Sequence, residues 1–378
     1  MAMNNCRVCG RPVLAEPLLR YENMPKAAQN FPDANSLEGE TGVDLTVCQC
    51  SGCGLVQLSD EPVPYFREVI RAAAFSDVVK ESKTRQFAGF IQKHSLRGKK
   101  VIEIGCGRGE FLALLQSLDV EAYGLEYSVA SVAACVRNGL KVSRGYLDRD
   151  TGLLANGPFS AFFVLMFLEH MPDPNSALRA IYNNLEEGAV GMVEVPNFDM
   201  MLRNKLFSEF IGDHLLYFSK DTLKTALNLN GFEIVECNEL RNDYVISAIV
   251  KKRRKLDVSN FHDYQTTIQA EIVEYIGRFG AKKVAVWGAG HQALALIALT
   301  KMAGKIRYVV DSATFKQGKF TPATHVPVVA PNALISDPVD AVIVMAASYS
   351  DEVAGIIRQR FDRNMSVAVV RDFGLEMV

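Results

Sequence analysis

The stretch VIEIGCGRGEF, residues 101–111, constrains the chain more than any other. An apolar run carrying one acid, Glu103, leads directly into glycines at 105, 107 and 109. Residues without Cβ allow a sharp strand-to-helix turn and let backbone approach a ligand closely. The pattern therefore predicts a ligand loop at the end of a buried strand. Around it, apolar runs alternate with helical spacing. Strands are expected at EAYGLE (121–126), KVSRG, AFFVLMF, VGMVEVP and FEIVECNEL, with helices after Gly109, over 128–138 and near 175–185. That alternation is the signature of an α/β fold with a parallel sheet covered on both faces.

A second unit of the same kind follows. The charged run KKRRKLD, 251–257, reads as a solvated linker, and a helix is expected over about 260–279. Beyond it, KKVAVWGAGHQALALIALTKM repeats the order strand, glycine loop, helix, and IRYVVD and DAVIVMA supply further strands. The chain of 378 residues is thus expected to hold three regions, 1–70, 71–250 and 258–378.

The first region is set apart by cysteine. Five of the eight cysteines, at 6, 9, 48, 50 and 53, precede residue 54. Cys6 and Cys9 form one C-x2-C and Cys50 and Cys53 another, the spacing of two knuckles that offer four thiolates to a tetrahedral Zn²⁺. Cys48 is the alternative to Cys50. The cysteine usage fits a reducing, cytoplasmic setting better than a disulfide framework. The N-terminus lacks a basic region followed by an apolar core, and no apolar run reaches the length of a membrane span. With 41 basic against 43 acidic residues the net charge is −2, which gives no electrostatic basis for a nucleic-acid or membrane partner. A small-molecule substrate is expected. A zinc ribbon acting as a binding module is the alternative reading of this region.

The first glycine loop does not match a dinucleotide fingerprint. That fingerprint places its third small residue three positions after the second glycine, where this chain has Glu110. G-x-G-x-G after an acidic strand residue instead resembles motif I of class I S-adenosylmethionine methyltransferases, with Glu103 at the acidic position. Glu126, ending the next strand, can accept hydrogen bonds from both ribose hydroxyls of such a ligand. Gly105, Cys106, Gly107 and Gly109 form the loop. Tyr127, the 145–147 loop with Leu147, and Phe167 are the expected walls, because ligands in such sheets bind at the carboxyl ends of the strands.

Taken in order, the two C-x2-C pairs, motif I, LEHMPDP, VEVPNFD, DHLLYFSKDTL and YVVDSATFKQGKFTPATHVPV resemble the three-part family of zinc-containing sugar C-methyltransferases. The resemblance implies a zinc-binding domain, a methyltransferase domain and a smaller Rossmann-like C-terminal domain. It also implies a keto-deoxysugar acceptor linked to a nucleoside diphosphate, deprotonated beside its carbonyl before the resulting carbanion takes the methyl group. His170 and His214 match histidines that the family places at its active site, with Asp213 and Tyr217 as their partners. The chain departs from the family at Ile211-Gly212-Asp213-His214, where a Tyr-His-Glu-His run is usual, and at RAAAFSDV, where tyrosines are usual. These departures leave O- or N-methyl transfer as alternatives. In the C-terminal region Gly288, Gly290 and Ala293 have dinucleotide spacing, and Asp311 ends the following strand. Gly288, Gly290, His291 and Asp311 are expected to bind the nucleotide end of the acceptor. An NAD(P)-dependent oxidoreductase built on this loop is the competing reading.

Overall fold

The most apolar run of the chain, FSAFFVL at 159–165, is buried at every position, as expected of an interior parallel strand covered on both faces. The computed structural model describes residues 4–26, 28, 29, 31–68, 76–280 and 283–378. Two compact units emerge, Met1–Arg254 and Lys255–Val378. The boundary expected near residue 70 and the Arg71–Phe75 part of RAAAFSDV lie outside the described residues.

In the first unit the strands are β1 (Leu19–Met24), β2 (Val43–Gln49), β3 (Val56–Leu58), β4 (Lys100–Ile104), β5 (Glu121–Glu126), β6 (Val142–Arg144), β7 (Phe159–Leu165), β8 (Leu185–Pro196), β9 (Leu216–Tyr217), β10 (Phe232–Leu240) and β11 (Val245–Lys252). Its helices are α1 (Asp77–Lys93), α2 (Glu110–Gln116), α3 (Val129–Arg137), α4 (Pro174–Asn183), α5 (Phe198–Arg203) and α6 (Lys220–Leu229). The main sheet runs β10-β11-β8-β7-β4-β5-β6. All neighbours are parallel except around β11, which lies antiparallel between β8 and β10. The order reverses between β4 and β7, so the glycine loop after β4 stands at the topological switch point.

Local chemistry fixes the helix starts. Asp173 caps α4 by accepting the Ser176 N–H, with Pro174 in the first turn, and Ser219 and Thr222 form a capping box on α6. Strand β11 was not anticipated from the sequence, and it changes the reading of the KKRRKLD run. Lys251 and Lys252 end that strand, and Lys252 is buried, with Nζ donating to the Leu185 carbonyl at 2.8 Å and pairing with Glu187 at 3.1 Å. Only the residues after Arg254 serve as the connection between units.

The N-terminal cysteine-bearing segment is built into this unit. Its sheet, β1-β2-β3-β9, takes its last strand from residues 216–217, through the pairs Val56↔Tyr217 and Gln57↔Leu216. Cys6, Val8, Cys50 and Leu55 share one apolar core with Ile102, Phe162 and Phe218.

The second unit contains α7 (Ser259–Gly277), β12 (Val284–Trp287), α8 (His291–Leu299), β13 (Val309–Val310), β14 (Val328–Val329), α9 (Ala333–Ser336), β15 (Ala341–Val344), α10 (Ser350–Arg360), β16 (Ser366–Arg371) and β17 (Gly374–Met377). Its sheet runs β14-β13-β12-β15-β16-β17, parallel but for β17. Among the described residues no helix is long and apolar enough to cross a membrane.

Packing between β7 and β8 leaves no room at Gly191, where a Cβ would come within 2.0 Å of the fully buried Phe162 ring. Replacing Gly191→Ala is expected to destabilise the protein by about 1–3 kcal/mol through overpacking. A lower urea midpoint would show it, and an unchanged midpoint would contradict this account of the sheet.

Candidate active site and thiol cluster

The glycine loop adopts the turn its sequence requires. Gly105, Gly107 and Gly109 all have positive φ, at 67°, 57° and 86°. A Cβ on Gly105 would lie 2.6 Å from the Phe167 ring, and one on Gly109 would lie 2.3 Å from Leu140. The carboxylate of Glu126 holds the loop in place. It accepts the Gly107 N–H at 2.9 Å and the Ser128 N–H at 2.8 Å. Burial raises its pKa, and these N–H groups oppose that rise. Two hydrogen bonds leave further lone pairs on a carboxylate, so ribose hydroxyls can still be accepted there.

Beside the loop is a small cavity lined by Gly105, Glu126, Tyr127, Tyr146, Leu147 and Phe167, among others. Five of the residues expected from the sequence therefore meet at one place. Glu103, Cys106, Gly107 and Gly109 do not line it. Cys106 is buried, and a Cβ on Gly124 would fall 2.6 Å from its sulfur, so it packs beneath the loop. Tyr146 belongs to the 145–147 loop expected as a wall, and it lines the cavity as well. Arg67 was missed by sequence reading. Its guanidinium lies 5.6 Å from the Tyr127 ring and 5.2 Å from the Tyr146 ring, contacts of cation–π type.

The histidines follow directly after β7 and before β9. His170 is buried, and its ring centroid is 4.7 Å from that of His214 in an edge-on arrangement. His170 Nδ1 lies 2.6 Å from the Asp213 carbonyl oxygen. A carbonyl can only accept, so Nδ1 carries the proton and Nε2 keeps its lone pair. That lone pair lies near Glu169, whose Oε1 is 3.9 Å away, and near His214. Burial lowers the pKa of both rings, and that of His214 is held at about 3 with the neighbouring His170 adding to the effect.

Asp213 does not use its carboxylate on the histidines. One oxygen accepts the Tyr65 hydroxyl and the other the Ala28 N–H, at 3.1 Å. Tyr217 is also directed elsewhere. Its hydroxyl accepts the Ile211 N–H at 3.0 Å and donates to the Ile211 carbonyl at 3.3 Å, so it braces the loop that carries His214.

The cysteine geometry separates the two sequence alternatives. Cys6, Cys9, Cys50 and Cys53 bring their sulfurs within 4.8 Å of one another. Cys48 is outside this group, on β2 opposite Gln57. The two knuckles repeat one design. Sγ of Cys6 accepts N–H bonds from Val8 and Cys9, and Sγ of Cys50 accepts them from Gly52 and Cys53. Such bonds favour thiolates, and a cluster of this donor set fits a tetrahedral Zn²⁺. The first knuckle is also tied to the histidine loop. Arg7 donates to the Pro172 carbonyl at 3.3 Å, and the Asn175 amide donates to the Val8 carbonyl at 2.7 Å.

In the C-terminal unit Gly288, Gly290, His291 and Asp311 line a common cleft with Gln292, Ser312 and Lys316. A Cβ on Gly288 would lie 2.5 Å from the Met345 carbonyl oxygen. Asp311 is already engaged. Its carboxylate accepts the N–H groups of Ala289 and Ala313, both at 2.8 Å, and Lys316 Nζ at 2.9 Å. Burial works against ionisation there, but Lys316 and the two N–H groups hold the pKa below the ordinary carboxyl value.

Because burial keeps His170 and His214 neutral in the fold, acid must destabilise it. An unfolded histidine protonates near pH 6.5, while His214 resists protonation down to about 3. Stability is therefore complete above about pH 6.5 and is lost as pH falls below it. At pH 5 His214 alone is expected to cost up to ~2 kcal/mol. Urea midpoints at pH 7 and pH 5 should diverge less in His214→Gln than in the unsubstituted protein. Equal divergence would remove His214 from this account.

Comparison with known proteins agrees with the geometry. Residues 75–237 match the family described as "Methyltransferase domain", and residues 249–369 match that described as "C-methyltransferase C-terminal domain". The C-methyltransferase NovU of Streptomyces niveus is 22% identical over 386 residues, covering 93% of this chain and 91% of NovU. A ubiquinone biosynthesis O-methyltransferase of Methylococcus capsulatus is 33% identical over 135 residues, covering 34% of this chain and 55% of that protein. Among solved structures, an S-adenosylmethionine-dependent methyltransferase from Clostridium acetobutylicum matches 47% of this chain and 94% of its own length, at 14% identity and a TM-score of 0.40. The glycine loop, the switch-point sheet, the two family matches and the similarity to NovU along most of the chain lead to one conclusion: the chain is an S-adenosylmethionine-dependent methyltransferase, with a class I Rossmann-like fold.

Proposed function

We propose that the enzyme methylates carbon beside the carbonyl of a small keto-sugar, carried on a nucleoside diphosphate, and that His170 is the base. The observation that carries this reading is the fixed tautomer of His170, whose Nδ1–H is given to the Asp213 carbonyl. The free Nε2 lone pair can take the proton from an acidic carbon, and burial keeps the ring neutral and ready at neutral pH. His214, edge-on to it, is the second histidine that would meet the acceptor on this reading. When bound, S-adenosylmethionine supplies an electrophilic methyl group. The residues suited to hold it are Gly105, Glu126, Tyr127, Leu147 and Phe167. Cys6, Cys9, Cys50 and Cys53 are suited to hold Zn²⁺ as a structural clamp in a reducing cytoplasm.

By itself the C-terminal cleft suits the phosphate of a nucleotide, with the α8 N-terminus offering backbone N–H groups and the positive end of its dipole. An oxidoreductase reading of this cleft is not favoured, because the family matched over residues 249–369 is described as a C-methyltransferase C-terminal domain. Transfer to oxygen or nitrogen needs no carbon acid, and a buried neutral imidazole aimed by its Nδ1–H bond to Asp213 supports carbon instead. The full chain incubated with methyl-¹³C S-adenosylmethionine and a panel of nucleoside-diphosphate keto-deoxysugars is expected to give a carbon-bound ¹³C methyl signal. An oxygen-bound signal alone, or none across the panel, would contradict the reading. Elemental analysis of the same preparation should find about one zinc per chain.

A further inference from the structure

We infer that Tyr65, in the N-terminal segment, is a positioning residue for the methyl-transfer base: its hydroxyl holds Asp213, and Asp213 in turn fixes the tautomer and aim of His170. This rests on the reading of His170 as the base. Neither of the matched methyltransferase families extends to residue 65.

The chain of contacts is short. Tyr65 OH donates to one carboxylate oxygen of Asp213, and the Ala28 N–H donates to the other at 3.1 Å. With both oxygens held and the residue buried, the peptide of Asp213 has little freedom. Its carbonyl is the sole acceptor found for His170 Nδ1 among the described residues. Burial and the charge of Asp213 raise the phenol's pKa, so Tyr65 remains a donor throughout the neutral range.

Tyr65 is itself held from two sides. It belongs to a tight turn closed by the Phe66 N–H to the Val63 carbonyl at 3.0 Å and the Glu68 N–H to the Tyr65 carbonyl at 2.7 Å. Val63 is buried, and its Cγ1 would be 3.6 Å from a Cβ at Gly212. On the other side, the Phe66 ring meets Tyr146 at 5.7 Å and Arg67 covers Tyr127 and Tyr146, both of which line the cofactor cavity. One turn therefore touches the cavity wall with Phe66 and Arg67 and reaches the base with Tyr65.

The test reads the imidazole directly and needs no acceptor. The full chain, labelled with ¹⁵N only in its six histidines and saturated with S-adenosylhomocysteine, is examined by long-range ¹H–¹⁵N correlation at pH 7.5, with His170→Asn used to assign the ring. The unsubstituted protein should show His170 as a single Nδ1–H tautomer. Tyr65→Phe should lose that single pattern and show both tautomers, while its affinity for S-adenosylhomocysteine stays within about twofold. An unchanged single tautomer in Tyr65→Phe would overturn the role of Tyr65 and leave His170 as the base. An Nε2–H or charged His170 in the unsubstituted protein would instead overturn the base reading itself. If Tyr65→Phe does not fold, 3-fluorotyrosine at position 65 keeps the shape and makes the phenol a stronger donor. The His170 Nδ1 resonance should then shift, and no shift would overturn the inference.

Discussion

A two-residue ladder between β3 and β9 joins the cysteine-bearing segment to the loop that carries His214. Val56 and Gln57 come from the cysteine-bearing segment, and Leu216 and Tyr217 follow immediately on the histidine loop. The ladder continues through the Leu58 N–H to the Leu215 carbonyl, and the Leu215 N–H to the Glu169 carbonyl, at 3.0 and 2.9 Å. Backbone hydrogen bonds thus run from the thiol cluster to the residue beside His170 without interruption. This explains why the N-terminal segment shares a core with the methyltransferase sheet and does not separate as a unit of its own.

The electrostatics of the site follow from the same enclosure. His170 and His214 stand edge to face, and removal from water disfavours charge on either. A charged pair there would also repel. Two neutral rings, one with a committed donor and an open lone pair, are the low-energy state, and this is the state a base needs before it acts. The glycine loop is handled differently. Its donors are taken by Glu126, a carboxylate that both shapes the turn and retains acceptor capacity.

Local sequence carried much of this and missed the rest for identifiable reasons. The glycine loop, Glu126 and the wall residues were legible because they follow the carboxyl ends of four neighbouring strands, β4, β5, β6 and β7. The four thiols were legible by spacing, although only the fold chose Cys50 over Cys48. Strand β11 was hidden, since its lysines looked like a solvated linker; a buried Lys252 becomes possible only once Leu185 and Glu187 are brought beside it. Tyr65 was invisible because its partner is 148 positions away and nothing in PVPYFRE marks a contact of that range. Tyr217 was misjudged in direction: the sequence places it three residues from His214, and the turn sends its hydroxyl back to Ile211.

Two glycine loops in one chain invite two cofactors, and the account assigns the donor to the first. Calorimetric titration of the purified full chain with S-adenosylhomocysteine, then with NAD⁺, decides between them most directly. The account predicts saturable binding of S-adenosylhomocysteine and no heat of binding from NAD⁺. Binding of NAD⁺ alone would mean that the loop at Gly288 carries the chemistry, and would contradict the assignment of Gly105, Glu126 and their neighbours.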